Sequence, residues 1–139
     1  MVKPVSPPIC PYCGGDAKLV TGDVVYPGRF DLSAKRFWYC AGDDAWVGCH
    51  GKTERPLGTM ADKELRNARQ AAHAQFDPLW QEKQRRENMP KFRARGRGYR
   101  WLAEQMQMPV RECHIAMMSA EQCARVMTIC EPIARRLKR

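Results

Sequence analysis

The chain has 139 residues, 24 Lys and Arg against 15 Asp and Glu, a net charge of +9, and seven cysteines. That length holds one or two small units. The opening MVKPVSPPIC has no apolar run of signal-peptide length, and no stretch approaches the ~18 apolar residues that span a membrane, so the expectation is a cytoplasmic protein with no membrane association.

The first element is CPYCGG, which places two residues between the thiols of Cys10 and Cys13. Two cysteines at this spacing can reach one ion from a tight turn, and Gly14 and Gly15 tolerate the positive φ that such a turn needs. Short strands are predicted over 17–20 (AKLV), 23–26 (DVVY), 35–40 (KRFWYC) and 45–49 (AWVGC). Cys40 opens a second cluster that closes with Cys49 and His50. Ligand turns at the ends of two hairpins make a zinc ribbon, and zinc prefers four thiolate or imidazole donors in a tetrahedron. Cys10, Cys13 and Cys40 are the expected first three ligands. A second C-x-x-C would put a thiol at position 43, where this chain has Asp43. The softer Cys49 is therefore the expected fourth ligand, with His50 and Asp43 as alternatives. A thioredoxin-type redox pair needs a strand-to-helix junction, and GGDAKLV does not read as a helix. In a reducing cytoplasm, clustered cysteines favour metal over disulfide. Zn2+ binding is then part of folding for residues 1–58, whose own core is thin.

HGKTERPLG contains Gly51-Lys52-Thr53, but Trp46 stands where a phosphate-binding loop needs its first glycine. No Ser/His/Asp set or paired carboxylates stand out, and Asp43 and Asp44 read as turn residues.

From residue 59 to 139 the pattern turns helical, giving an α+β order of ribbon and then three to four helices. The connection is short enough for the two parts to pack as one compact domain. Thr59 reads as an N-cap with Asp62 three residues on. Leu65, Ala68, Ala72 and Phe76 then form one apolar stripe. Asp77 and Pro78 suit the start of a second helix, running to about Asn88. In the third segment, RGRGYRWLAEQMQM, Tyr99, Leu102, Ala103 and Met106 share a face. Arg93, Arg97 and Arg100 point away from it, and Gly96 and Gly98 weaken the helix around Arg93 and Arg95. Ser119 and Gln122 form a capping box for a last helix whose inner face carries Cys123, Val126, Met127 and Cys130, and which Pro132 is expected to end before a basic tail, ARRLKR. Cys113, Cys123 and Cys130 read as core thiols rather than a second metal site. His114 sits at a helix junction, and His73 on a helix flank.

The positive charge is uneven. Residues 1–60 carry 7 basic and 6 acidic side chains, whereas residues 83–100 alone carry 8 basic and 1 acidic. Such a block attracts phosphate backbones through counterion release. Arg85, Arg86, Arg93, Arg95, Arg97 and Arg100 are the candidate phosphate contacts. Of the ribbon aromatics Phe37, Trp38, Tyr39 and Trp46, an exposed one could stack on a base, although core packing suits most of them.

CPYCGG, WVGCH, RPLGTMADKELRNARQAAHAQFDPLW, YRWLAEQM and ECHIAMMSAEQC together resemble a family of small zinc-finger-containing proteins encoded mainly by bacteriophages and prophages. The resemblance covers roughly residues 9–130. It implies phage origin and a zinc ribbon and supplies no activity. The family pattern has a cysteine where this chain has Asp43. The expected function is a zinc-binding accessory protein that holds DNA or RNA through its basic helical segment. The alternatives are a host-takeover adaptor on a bacterial protein, such as polymerase or a defence complex, and a metal-dependent nuclease.

Overall fold

In the computed structural model, which describes residues 6–137, β-structure comes first and helices follow. The chain divides between Glu64 and Leu65 into two units, each with its own core.

In the N-terminal unit, β1 (Lys18–Thr21), β2 (Arg36–Cys40) and β3 (Ala45–Gly48) form an antiparallel sheet in that order. Leu19, Trp38 and Val47 lie side by side across it. Trp38 and Val47 bury against Cys10, Ala17, Ala45 and Met60. The rings of Tyr26, Phe37, Tyr39 and Trp46 pack against one another, and Trp46 Nε1 donates to the Tyr26 hydroxyl at 3.1 Å. Both neighbours Phe37 and Trp38 are buried, which is why RFWYC reads as an unbroken apolar run rather than an alternating strand.

The expected strand at 23–26 is instead one helical turn, α1 (Gly22–Val25). β1 pairs directly with β2, so the chain must reverse between Thr21 and Arg36, and α1 begins that reversal. Gly22 is required there: a Cβ would lie 1.8 Å from the Leu32 carbonyl oxygen. The β-propensity of two valines yields to this tertiary demand.

After β3 the chain doubles back. The His50 N–H donates to the Arg55 carbonyl at 2.8 Å, and Trp46 and Ala61 exchange two backbone bonds of 3.1 Å. Residues paired with β3 cannot also be helical, so α2 (Lys63–Glu87) starts after the expected Thr59 cap.

α2 also fuses the two helices that Asp77 and Pro78 seemed to separate. Proline removes one helix hydrogen bond and crowds the Ala74 carbonyl, which costs about 3 kcal/mol. Ala72, Phe76 and Trp80, spaced by four, are buried on one stripe across that point. Burying each large ring is worth roughly 1.5–3 kcal/mol, which offsets the proline. Asp77 Oδ1 accepts from Trp80 Nε1 at 3.0 Å and lies 3.4 Å from His73 Nδ1, so it braces the helix instead of capping it.

Asn88, with φ of 48°, ends α2. α3 (Lys91–Met106) follows Pro90 and stays helical through both glycines. Arg93 and Arg95 are thus on the helix, not on a loose approach. Gly98 permits close approach of α2: a Cβ there would sit 3.0 Å from Trp80 Cβ and 3.2 Å from Phe76 Cζ. Two single 3-10 turns, Val110–Glu112 and Ile115–Met117, lead to α4 (Ala120–Leu137). The expected capping box forms, with Ser119 Oγ accepting from the Gln122 N–H at 3.2 Å and Gln122 Oε1 from the Ser119 N–H at 2.9 Å. Pro132 does not end α4, because Cys123, Val126, Cys130 and Ala134 continue one buried stripe through it. The basic tail is therefore helical to Leu137, and its last two residues lie outside the described range. No helix among the described residues is long and apolar enough to cross a membrane.

Candidate metal centre

Two turns build the centre. In the first, the Cys10 N–H donates to the Gly15 carbonyl at 2.8 Å, the Gly14 N–H to the Cys10 carbonyl at 2.9 Å, and the Gly15 N–H reaches Cys13 Sγ at 3.4 Å. Gly14 takes φ of 76°. The second turn joins β2 to β3, from Cys40 to Ala45, and Asp44 takes φ of 50° there. Each turn carries two donors three residues apart and puts the following residue in the left-handed region. Asn and Asp are the non-glycine residues that enter it most readily. The second turn thus repeats the first, with Cys40 in the place of Cys10 and Asp43 in the place of Cys13.

The donors converge. Cys13 and Cys40 sulfurs are 3.7 Å apart, and Asp43 Oδ2 lies 3.4 Å from Cys10 Sγ and 3.6 Å from Cys40 Sγ. One donor atom from each of the four residues falls within 4.8 Å of all the others. With zinc–sulfur bonds near 2.3 Å and zinc–oxygen bonds near 2.1 Å, a regular tetrahedron has S···S edges of about 3.8 Å and S···O edges of about 3.6 Å. The three edges of 3.7, 3.4 and 3.6 Å lie close to those lengths, so the donor set fits zinc.

The electrostatics agree. The Gly15 N–H pulls the Cys13 thiol down, but the Asp43 carboxylate, the Cys40 and Cys10 thiols and burial together push it up to about 11. Hydrogen bonds from Cys13 and Cys10 in turn hold the Asp43 carboxyl below its ordinary range. Donors crowded this closely resist a second negative charge until a cation sits among them.

The structure places Cys49 and His50 elsewhere. Cys40 pairs with Ala45 and Phe37 with Gly48, so β3 runs away from the turn. At ~3.4 Å per residue, Cys49 lies about 14 Å along the strand from Ala45. It is half-buried against the sheet core, where burial raises its thiol pKa while Arg36 lowers it and Glu54 raises it. His50 is exposed in the following turn. The signal that favours Asp43 is the three-residue spacing from Cys40 followed by a residue able to take positive φ. Softness of the donor, the reason for ranking Cys49 first, ignores what strand register allows.

Cys113, Cys123 and Cys130 are buried in the C-terminal core. Burial pushes the Cys113 thiol up to about 11 and, with Cys113 nearby, that of Cys130 to about 12, as for packed neutral thiols. The His114 ring stacks 4.7 Å from Tyr99.

The six arginines divide. Arg85 is held by two bonds to Glu82, and Arg86 lies 4.0 Å from the same carboxylate. Arg95 is half-buried with its guanidinium 5.2 Å from the centre of the Tyr99 ring. Arg93, Arg97 and Arg100 are exposed on α3. At 100° per residue they fall within an arc of about 60°.

A family model described as a zinc-finger-containing domain matches residues 6–132, and the chain belongs to that family. No curated protein and no solved structure matches it. The family and the donor set agree on zinc as the cofactor.

Proposed function

We propose that this zinc-finger protein is a nucleic-acid-binding accessory protein of phage or prophage origin, working in the cytoplasm of a bacterial host. In this reading Cys10, Cys13, Cys40 and Asp43 hold a structural zinc, and α3 contacts phosphates. Four donors from the chain fill a tetrahedron and leave no position for the water that a zinc nuclease activates. Reducing conditions keep the three thiol donors available.

The observation that carries the reading is the exposed row of Arg93, Arg97 and Arg100. No acidic side chain lies in the first turn of α3, and among the described residues none forms an ion pair with Arg93 or Arg100. Compared with the wider basic block, the contact set narrows: Arg95 is committed to Tyr99, and Arg85 to Glu82. Each phosphate neutralised releases counterions, so the logarithm of affinity falls linearly with the logarithm of salt concentration.

The test is fluorescence anisotropy of the zinc-loaded protein with labelled DNA and RNA over a salt series. Binding should weaken steeply with salt. Replacing Arg93, Arg97 and Arg100 together by Gln should reduce the slope by about 2–3. Absence of binding at low salt, or a slope unchanged in the triple variant, overturns the reading.

An adaptor on a bacterial host protein is a second reading, favoured by Phe30. This ring lies between β1 and β2 with 90 % of its surface exposed, open to a partner surface. Nuclease-resistant capture of one host protein, lost in Phe30→Ser, would support it.

A further inference from the structure

Beside the arginine row the C-terminal unit has a cleft of about 700 Å³. Its apolar lining includes Phe76, Leu79, Trp80, Trp101 and Ile133, and its charged rim carries Lys83, Arg86 and Arg97 against Glu82 and Glu87. That volume and that mixture of apolar wall and few charges suit a nucleotide-sized ligand. Trp80 is 4 % exposed and serves the core, whereas Trp101 is only half-buried.

The rim charges do not cancel. Lys83 Nζ pairs with Glu87 at 2.7 Å, and Arg86 lies 4.0 Å from Glu82, which Arg85 already holds. Arg97 is near enough to help lower the Glu87 pKa but forms no ion pair with it. It is the surplus positive charge at the mouth. Arg97 and Trp101 are four residues apart and so are neighbours on the surface of α3. Trp101 borders the row of Arg93, Arg97 and Arg100 at about 40° around the helix from Arg97. One helix face therefore sets an apolar, aromatic cleft next to a track of cations, with Arg97 belonging to both.

We propose that the cleft takes one unstacked base of a single-stranded nucleic acid, stacked on Trp101, while the flanking phosphates lie on Arg97, Arg93 and Arg100. This rests on the nucleic-acid reading above and adds strand type and a base site to it. Bases in a duplex are stacked and paired, so they cannot enter the cleft without being extruded. Base–aromatic stacking tolerates any sequence because every base has a π-face.

The experiment compares four probes of equal length with the zinc-loaded full chain: single-stranded DNA, single-stranded RNA, duplex DNA, and a single strand with abasic sites. Single strands should bind at least tenfold more tightly than the duplex. The abasic strand should lose about tenfold against its intact counterpart with the salt slope unchanged. Trp101→Leu keeps an apolar wall but removes the stacking face, and should reproduce the abasic loss with wild-type far-UV circular dichroism. The abasic comparison needs no variant, so it decides even if Trp101→Leu misfolds. Equal binding of duplex, abasic and intact strands overturns the base site and leaves phosphate binding standing. Binding of none of the four removes both readings. An apolar peptide that binds the wild-type cleft where no single strand does would reassign the cleft to a protein partner and overturn the base site.

Discussion

The two units are held in different ways. Among the described residues, the N-terminal one buries nine apolar residues, one of them the donor Cys10, while the C-terminal one buries fifteen, drawn from α2, α3, α4 and the turns before α4. A sheet of three strands of four or five residues has little apolar area to remove from water. Its order is therefore expected to depend on the zinc that Cys10, Cys13, Cys40 and Asp43 would hold. The helical unit draws its stability from packing, and that leaves the outer surface of α3 available for charge. In one chain, cysteine spacing marks where a metal substitutes for a core, and apolar periodicity marks where none is needed.

Metal removal breaks this comparison most directly. Structural zinc contributes roughly 10–16 kcal/mol of apparent binding energy in zinc-finger peptides at neutral pH. Stripping it with a chelator, or replacing Cys40 by Ser, should abolish amide protection over residues 6–64 in hydrogen exchange. The helical circular dichroism signal of α2, α3 and α4 should remain. Loss of both signals together would show that the metal holds the whole chain.

The complementary blow falls on Phe76, which is fully buried with its ring 4.6 Å from that of Tyr99. Phe76→Ala should lower the unfolding free energy of the helices by about 3–5 kcal/mol. Denaturant unfolding followed at 222 nm measures it, and competition with a chromogenic chelator should show zinc affinity unchanged. A loss under about 1 kcal/mol would mean that the core closes over the gap and is less closely packed than it looks.

What the sequence makes legible follows the same division. The α+β order, the first turn at Cys10 and Cys13, the donor Cys40, the Ser119–Gln122 capping box and the buried face of α3 were all readable, because each depends on residues close together in the chain. The misreadings came from partners far away in sequence. Val24 and Val25 favour a strand but lie where β1 must turn back to β2. Thr59 looks like a cap until Ala61 pairs with Trp46. Pro78 and Pro132 look like helix ends until the buried stripes beneath them continue. Cys49 looks like a ligand until register carries it down β3. Asp43 was within reach of sequence reasoning, through the likeness of Cys-Ala-Gly-Asp-Asp to Cys-Pro-Tyr-Cys-Gly, but only by weighing turn geometry above donor softness.

The glycines of α3 sharpen the claim that packing holds the helical unit. A Cβ on Gly96 would meet nothing within 4 Å, whereas one on Gly98 would press on Trp80 and Phe76. Gly96→Ala should stabilise by about 0.5–1 kcal/mol through helix propensity alone. Gly98→Ala gains the same propensity but overpacks a site where each neighbour is itself buried, at about 1–3 kcal/mol, so its net effect should be destabilising. Thermal midpoints of the two variants should move in opposite directions. Movement of both upward would mean that α2 and α3 can separate without penalty.

The smallest effect is electrostatic and belongs to His114. Burial holds its pKa below 6.5, with help from the nearby positive charge of Arg95 and from His73. The folded state therefore favours the neutral ring and binds fewer protons than the unfolded chain just below pH 6.5. Stability from this group is fully present above the unfolded pKa and is lost as pH falls through the folded one. Asp77 faces His73 and Trp80 rather than His114, so among the described residues no carboxylate offsets the penalty of charging this ring. Because the ring is half-exposed, solvent screening should keep the effect below about 1 kcal/mol. His114→Phe keeps an aromatic face against Tyr99 and cannot be protonated. Between pH 7 and 5, its helical unfolding free energy should fall less steeply than that of the wild type. Zinc release with acid acts on residues 6–64, so it enters both proteins alike and cancels in the difference. Parallel pH curves would show that His114 is already solvated as an ordinary surface histidine, and that the C-terminal core stops short of it.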